Sequence, residues 1–539
     1  MIGADAMIKC LEEEGVKAVF GYPGVAICPF YNSILHSDIE SILVRTEQNA
    51  GHAASGYARV TGKVGVCAVT SGPGATNLIT GIATAFADSI PLVAITGQVN
   101  SSLLGSDVFQ EADITGAVES FVKYSYLVKN VEDIPRVFKE AFYIANSGRK
   151  GPVLIDVPID VQNASLSRFK YPEEVSLRTY KPTVKGHAVQ IKKVIKELEK
   201  AKRPIICAGG GVLLSDAQKE LRTFAEKYEI PVVSTMMGIG VMPTRHPMYF
   251  GMVGNNGKPY ANRAMNESDM LIMVGARVAD RAVSQPDLIT ENKILVHIDV
   301  DPAEIGKNCG PSIPLVGDAK HIFNDIAKQE FECEHHAWVE QLNEYRETMV
   351  PKRNPNPAYV DPARFIEVLT EKMDDDAIYV ADVGQNQIWS CGYADVREGR
   401  FLTTGGMGTM GYSIPAAMGA KKALGKKQQV VAVCGDGSFQ MSMMELATIN
   451  QYDMPIKVIV LKNSVLGMVR EYQHYTYHDH YSVIDLSGSP DLEKLASAYG
   501  IPFQRVFTMD GVEEAIEAFL KEEGTGLMEC IIDPDDLVK

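Results

Sequence analysis

A chain of 539 residues, 46% hydrophobic, with 52 basic against 68 acidic side chains and a formal net charge of −16, is long enough for three or four ordinary domains. The charge repels phosphate backbones and anionic headgroups, so no nucleic acid and no membrane surface is expected as a partner. Nine cysteines without a CxxC pair exclude a disulfide framework or thiolate zinc site and point to a reducing cytoplasm.

The opening "MIGADAMIKCLEEEGVKAVFGYPG" reads as an amphipathic helix running into a strand, unlike the charged segment and unbroken apolar run of a leader. No apolar run reaches membrane-spanning length. A second strand, "SILVR", precedes Glu47 and a helix rich in small residues: Ala50, Gly51, Ala53, Ala54 and Gly56. Further strands read as "KVGVCAVTS", "PLVAITGQ", "PVLIDVP", "RPIICAGGG", "MLIMVGAR", "ILVHIDVD", "VVAVCGDG" and "IKVIVLKN", each separated from the next by helical patterns. That alternation predicts an α/β protein with parallel sheets flanked by helices. Polar, proline-rich runs around "SLSRFKYPEEVSLRTYKPTVKG" and "ETMVPKRNPNPAYVDPARF" read as linkers, giving domains near 1–165, 185–335 and 360–539.

The outer domains echo each other. "VCAVTSGPGATNLITGIATAFADSIPLVAITGQ" and "VAVCGDGSFQMSMMELATINQYDMPIKVIVLKN" share strand, glycine turn, helix, Asp, apolar residue, Pro and strand. Nineteen residues separate Gly72 from Pro91, and eighteen separate Gly437 from Pro455. A duplicated unit is expected, with a different domain between the copies.

In open parallel sheets, ligands bind beyond the carboxyl ends of the strands, where helix N-termini present free N–H groups. "VVAVCGDGSFQ" places Gly435, Asp436, Gly437 and Ser438 there. The glycines admit a diphosphate closely, and Asp436 offers a hard oxygen to a bridging cation. A surface turn is the bland alternative for GDG alone. The next strand ends at Asn463, 27 residues on, and this pairing is the magnesium–diphosphate pattern of thiamine diphosphate enzymes. Asp436, Asn463 and a carbonyl near Val465 suffice for Mg2+ when phosphate oxygens complete its octahedron. Thiamine chemistry also requires a distant carboxylic group to protonate the aminopyrimidine, usually a glutamate in an apolar setting. Glu47 stands where such a group would, although an acidic residue opening a helix is commonly only a capping charge.

At this point the chain closely resembles the catalytic large subunits of acetohydroxyacid synthase, also called acetolactate synthase. The similarity runs over essentially the whole length, through "GYPG", "RTEQNAGHAASGYAR", "SGPGATN", "FQEADITG", "GPVLIDVP", "DVGQNQIW", "GGMGTMGYSIPAA", "GDGSFQM" and "LGMVREYQ". It implies pyrimidine-binding, central and diphosphate-binding domains, active sites formed between two subunits of a homodimer or tetramer, and a regulatory small subunit as a further partner. Thiamine diphosphate, Mg2+ and FAD are the cofactors it implies. Glu47 becomes the activator of the aminopyrimidine, Met410 the wedge beneath the cofactor, and the Gly408 carbonyl the acceptor from its amino group. Gln385 and Asn386, with Gly437, Ser438 and the backbone around Gly467 and Met468, would hold the diphosphate. Phe109, Gln110 and Lys123 match residues lining the substrate channel, and Gly24, Val25 and Ala26 match the loop beside the reactive carbon. The implied reaction decarboxylates pyruvate and joins its remaining two carbons to a second 2-keto acid, giving 2-acetolactate or 2-aceto-2-hydroxybutyrate for branched-chain amino acids. A pyruvate oxidase or 2-keto acid decarboxylase is the alternative.

Several stretches depart from the family pattern. The flavin-contacting "GMHGT" reads "GNNGK" at Gly254–Lys258, and "RFDDR" reads "RVADR" at Arg277–Arg281. FAD is therefore expected to bind weakly, although Gly210, Arg277, Asp280, Arg281, Asp299 and Asp318 stand at matching places. Tyr472 stands where many members carry Trp, which predicts less preference for 2-ketobutyrate as acceptor. His474 and His478, four apart, lack a complete metal-ligand set and read instead as part of a polar segment over the active-site mouth.

Overall fold

The computed structural model describes residues 1–283, 289–310, 312–350 and 352–538. Among them are three six-stranded sheets, parallel in every pairing. The first contains β1 (Ala18–Tyr22), β2 (Glu40–Leu43), β3 (Gly65–Val69), β4 (Leu92–Gln98), β5 (Tyr124–Leu127) and β6 (Pro152–Pro158). The second contains β7 (Pro204–Ala208), β8 (Val232–Ser234), β9 (Tyr249–Met252), β10 (Met270–Val274), β11 (Ile294–Asp299) and β12 (Ile313–Val316). β13 (Ile378–Ala381), β14 (Arg400–Leu402), β15 (Val430–Gly435), β16 (Lys457–Lys462), β17 (Phe503–Val506) and β18 (Gly526–Ile531) form the third.

The spatial order of the first sheet is β2-β1-β3-β4-β6-β5 and that of the third is β14-β13-β15-β16-β18-β17. Numbered within each domain, both read 2-1-3-4-6-5, so the echo in the sequence is a repeat of topology. The central sheet, β12-β11-β10-β7-β8-β9, is wound outward from β7 in both directions, the doubly wound order with its switch point between β7 and β10. Its core also takes in a helix beyond the expected 185–335 span: His336–Thr348 buries Trp338, Val339, Leu342 and Tyr345 against β7 and β10 residues.

The first and third domains share one hydrophobic core. The Glu47–Thr61 helix lies against the Ser413–Leu424 helix, with Ala50, Ala53, Ala54, Ala416, Ala417 and Ala420 all buried in the seam. A Cβ on Gly56 would stand 2.0 Å from the Ala416 carbonyl oxygen, and one on Gly419 would stand 1.8 Å from that of Ala53. The two backbones therefore touch, which explains the small-residue face read from the sequence. Buried in the same seam, the His52 ring lies edge-on to Tyr412 at 5.3 Å. No described helix is long and apolar enough to cross a membrane, and none of the nine cysteines is in a disulfide.

Candidate active site

Pairing of Gly435 with Leu461 brings the turn at Asp436 level with Asn463, just beyond the end of β16. Three helices begin at this edge: Gln385–Tyr393 after β13, Asp436–Ser442 after β15 and Gly467–Tyr477 after β16. Their first turns line one pocket, together with Met410, Asn463, Val465 and Ile532. N–H groups in a first helical turn have no carbonyl partner within the helix, and the helix dipole adds positive potential, so three convergent N-termini make an anion cradle. A diphosphate fits this cradle. A Cβ on Gly467 would meet the Gln385 amide oxygen at 2.0 Å and Asn463 Nδ2 at 2.9 Å, so a side chain there would displace those two carboxamides.

Asp436, Asn463 and Val465 lie on the pocket wall, the Asn463 amide oxygen accepting from Val465 N at 3.1 Å. The Asp436 carboxylate accepts from the Ser464 and Gly437 N–H groups at 2.7 and 3.1 Å, while burial pushes its pKa up to about 6. A buried carboxylate beside an amide oxygen and a backbone carbonyl is a hard-oxygen donor set, and Mg2+ fits it. Met410 stands over the turn, its Cε 3.5 Å from a Cβ built on Gly437. Gly408, in the left-handed region at φ +69°, is exposed with no neighbour within 4 Å of its Cβ position.

The side chains expected to hold the diphosphate are already engaged elsewhere. Gln385 Nε2 donates to Glu471 Oε2 at 3.2 Å and to the Asp536 carbonyl at 3.1 Å. Asn386 Nδ2 donates to the Asp382 carbonyl at 2.8 Å, and the Ser438 hydroxyl donates to Gly435 O at 3.1 Å. These groups frame the cradle, and the helix N-termini face its interior. The sequence reading also passed over Asp382. Fully buried, it accepts from the Gly411 and Val383 N–H groups at 2.9 and 2.8 Å and from Ser413 N at 2.8 Å. Burial raises its pKa, and those N–H donors pull it back. It ties the loop carrying Met410 to the turn carrying Gln385, and an acid closing the apolar run "AIYVAD" was its one sequence signal.

The first-domain residues gather at the carboxyl edge of their own sheet. A Cβ on Gly24 would meet the Thr70 side chain at 2.5 Å, and one on Gly74 would meet Thr70 at 2.7 Å and Glu47 Oε1 at 3.4 Å. Glu47 is half-buried and its Oε2 accepts from Asn77 Nδ2 at 3.0 Å. A Cβ on Gly72 would meet the Gln110 carbonyl oxygen at 2.9 Å. Phe109 is 86% exposed and Val25 75%. None of Gly24, Val25, Glu47, Phe109 or Gln110 lines the third-domain pocket.

Lys123 does not belong with them. It immediately precedes β5, its N–H donating to Pro152 O at 2.8 Å, which puts it at the amino edge of the sheet, ~20 Å from the opposite edge at about 3.3 Å per residue. Its ammonium is engaged by the Ile144 and Ser147 carbonyls and the Tyr180 hydroxyl, and burial lowers its pKa to about 7. Lys123 therefore ties the first linker to the first domain, at the edge opposite the one where Glu47 and Gln110 gather.

In the central domain, Gly210, Arg277, Asp280, Arg281, Asp299 and Asp318 all follow or end strands at the carboxyl edge. At the switch point the two backbones touch: Gly209 N donates to Val274 O at 2.9 Å, Gly211 N to Gly275 O at 3.0 Å, and a Cβ on Gly211 would stand 2.6 Å from Gly275 Cα. Asn255 N donates to Arg281 O at 3.1 Å, folding the two departing motifs onto each other. Asp318 caps its own helix through His321 N at 3.2 Å, and Asp299 accepts from Asp301 N at 2.9 Å with its pKa pushed up to about 6 by burial. These glycines and acids thus take part in contacts within the fold.

His474 pairs with Asp479, and the helix carrying it ends at Tyr477, before His478 at φ +51°. The two histidines thus share no helix face, and among the described residues no cluster of His, Cys, Asp and Glu could hold a metal.

Three family models match the chain: "Thiamine pyrophosphate enzyme, N-terminal TPP binding domain" over residues 1–117, "central domain" over 191–326, and "C-terminal TPP binding domain" over 382–530. A probable acetolactate synthase large subunit of Methanocaldococcus jannaschii is 44% identical across 99% of this chain and 92% of its own. This chain belongs to the acetolactate synthase family. Large subunits of Haemophilus influenzae, 42% identical over 96% of this chain and 92% of theirs, and of Corynebacterium glutamicum, 43% over 96% and 84%, agree. It is therefore a thiamine diphosphate-dependent enzyme of this family, its three sheets corresponding to the three family domains.

Proposed function

We propose that the chain is the catalytic subunit of an acetolactate synthase, which joins two 2-keto acids with loss of carbon dioxide. The observation that carries this reading is the cradle of three helix N-termini with Asp436, Asn463 and Val465 on its wall, in a chain related over almost its full length to acetolactate synthases. Bound thiamine diphosphate supplies the electron sink that makes decarboxylation and carbon–carbon bond formation accessible.

The N–H groups at the starts of the Gln385, Asp436 and Gly467 helices bind the diphosphate, and Asp436, Asn463 and the Val465 carbonyl hold Mg2+ against it. Met410 orients the two cofactor rings. Glu47 holds and returns a proton at the pyrimidine ring nitrogen. Gly24, Val25, Phe109 and Gln110 border the reacting carbon and keep water from it, since stray protonation would divert the product to acetaldehyde.

Glu47 does not line the cradle, and Phe109, Val25 and Met407 lie exposed, so we assign the functional unit to a homodimer in which one copy's Glu47 serves its partner's cradle. The relatives' name, large subunit, supports a small regulatory partner. Free cysteines throughout fit a reducing compartment such as the cytoplasm. FAD is held weakly at most, because Asn255 and Asn256 stand where the family pattern has a Met–His pair against the flavin. A flavin spectrum at one equivalent per chain surviving desalting would overturn that.

The test of the function is incubation with pyruvate, thiamine diphosphate and Mg2+, assaying acetolactate, acetaldehyde and peroxide separately. Acetolactate as the main product is expected. Peroxide would identify an oxidase, and acetaldehyde a decarboxylase.

A further inference from the structure

One buried polar tie between the outer domains is made by an acid the proposed chemistry does not use. Glu445 opens the Glu445–Gln451 helix and is fully buried. Its Oε1 accepts from the Arg45 backbone N–H and from Asn49 Nδ2, both at 2.8 Å, and its Oε2 accepts from the Thr448 hydroxyl at 2.6 Å. No cation pairs with it among the described residues. A carboxylate buried without a counter-charge is costly unless its lone pairs are filled by hydrogen bonds. Two of its three donors come from another domain, and they flank Glu47 by two residues on either side.

The rest of this helix continues the clamp. The Tyr452 hydroxyl accepts from Leu43 N at 2.8 Å, and Gln451 Oε1 accepts from the Arg45 guanidinium at 2.7 Å. Every residue gripped lies between Leu43 and Asn49, the short connection from β2 into the helix that Glu47 opens. The gripping residues lie on the connection from β15 to β16, whose ends carry Asp436 and Asn463.

We propose that Glu445 is a positioning residue for Glu47: its carboxylate fixes the backbone before Glu47 and the side chain one half-turn after it, and so sets where the Glu47 carboxyl group points. This rests on the assignment of Glu47 as the proton-transferring group. Glu47 itself has one side-chain partner, the exposed Asn77, so its aim depends on the backbone that carries it. A displacement of about 1 Å at a reacting group costs on the order of 100-fold in rate.

The test uses the full-length protein and three variants: E445A, E445Q and E47Q. Three quantities are read: deuterium exchange at the 43–49 backbone amides without cofactor, exchange of the C2 proton of bound thiamine diphosphate, and cofactor affinity. E445A should lose amide protection in that segment and slow C2 exchange on the order of 10- to 100-fold, with cofactor affinity kept. E445Q retains an acceptor for Arg45 N and Asn49 and should stay close to wild type in all three. E445A exchanging its C2 proton at the wild-type rate while E47Q does not would overturn the positioning role. Wild-type C2 exchange in E47Q would instead overturn the assignment of Glu47. Should E445A fail to fold, N49A, which removes one of the donors, carries the same expectations at smaller size, and a wild-type C2 rate in it overturns the proposal.

Discussion

The first and third domains have one topology and use the same position in opposite ways. After β3 the turn Gly72–Pro73–Gly74 is filled by the chain's own substance: Gln110 backbone covers Gly72, and Thr70 and Glu47 cover Gly74. After β15 the equivalent turn, Gly435 to Ser438, stays open as one wall of a pocket. The difference lies in the segments packed around each turn. In the first domain the loop carrying Phe109 and Gln110 folds back over the turn, and the Glu47 carboxylate, at the start of its helix, stands beside it. In the third, two further helices start at the same edge and leave their N–H groups facing a common space. On the proposed function, the repeated fold supplies two halves of one site, an acid with apolar walls and an anion cradle.

The sharpest break in that comparison is chemical. E47Q should lower turnover by about 10²- to 10⁴-fold, the range for loss of a general acid–base group, while cofactor titration shows binding unchanged. An active E47Q would mean the first domain contributes walls only.

Next in size is the contrast between the two edges of the first sheet. Lys123→Met removes the ammonium donor from the Ile144 and Ser147 carbonyls, of which Ser147 keeps the Tyr180 hydroxyl, and should destabilise the protein by about 1–3 kcal/mol, measured by denaturant unfolding, with kcat/KM unchanged. A loss of catalysis without loss of stability would return Lys123 to the site.

The seam joining the two domains gives a pH signature. Burial lowers the His52 pKa to about 3, below its unfolded value of ~6.5. The unfolded chain therefore takes up a proton that the folded one refuses. Stability attributable to His52 is complete above pH 6.5 and falls with decreasing pH between 6.5 and 3, by about 1.4 kcal/mol per unit. His52→Leu should flatten the acid limb of a stability–pH curve, and an unchanged limb would contradict the assignment.

Smallest is the effect at the rim. Tyr472 is 60% exposed, on the helix that also forms the cradle. Replacing it by Trp should favour 2-ketobutyrate over pyruvate as acceptor by the worth of about one methylene, ~0.8 kcal/mol or roughly fourfold. Competition between equal concentrations of the two acids measures it. A product mixture already dominated by acetohydroxybutyrate in the wild type would contradict this.

Much of this organisation is legible in the sequence because buried parallel strands read as continuous apolar runs: β3, β4, β6, β7, β10, β11, β15 and β16 all do. β18 hides behind Glu529, fully buried yet paired with Lys462 at 2.9 Å and with Arg505. The edge strands β5 and β17 carry partly exposed polar faces and give no such run. The GDG turn and Asn463 are legible because cation chemistry restricts residue type at fixed strand ends. The partners of Gln385 and Asn386 are not, since a carboxamide looks the same whether it faces a ligand or a neighbouring carbonyl. Lys123, matched to the channel by resemblance alone, lies thirteen residues beyond Gln110, and between them the chain must return to the amino edge before a parallel strand can begin.

The central claim, that two copies each lend one half to a shared site, is tested most directly by mixing two dead variants. E47Q keeps the cradle and D436A keeps the carboxylate, and each should be inactive alone. Co-expressed with random pairing, half the dimers are mixed and each mixed dimer has one intact site of two, so activity should return to about a quarter of wild type. No recovery in a verified mixed dimer would contradict the account and place both halves of each site within one chain.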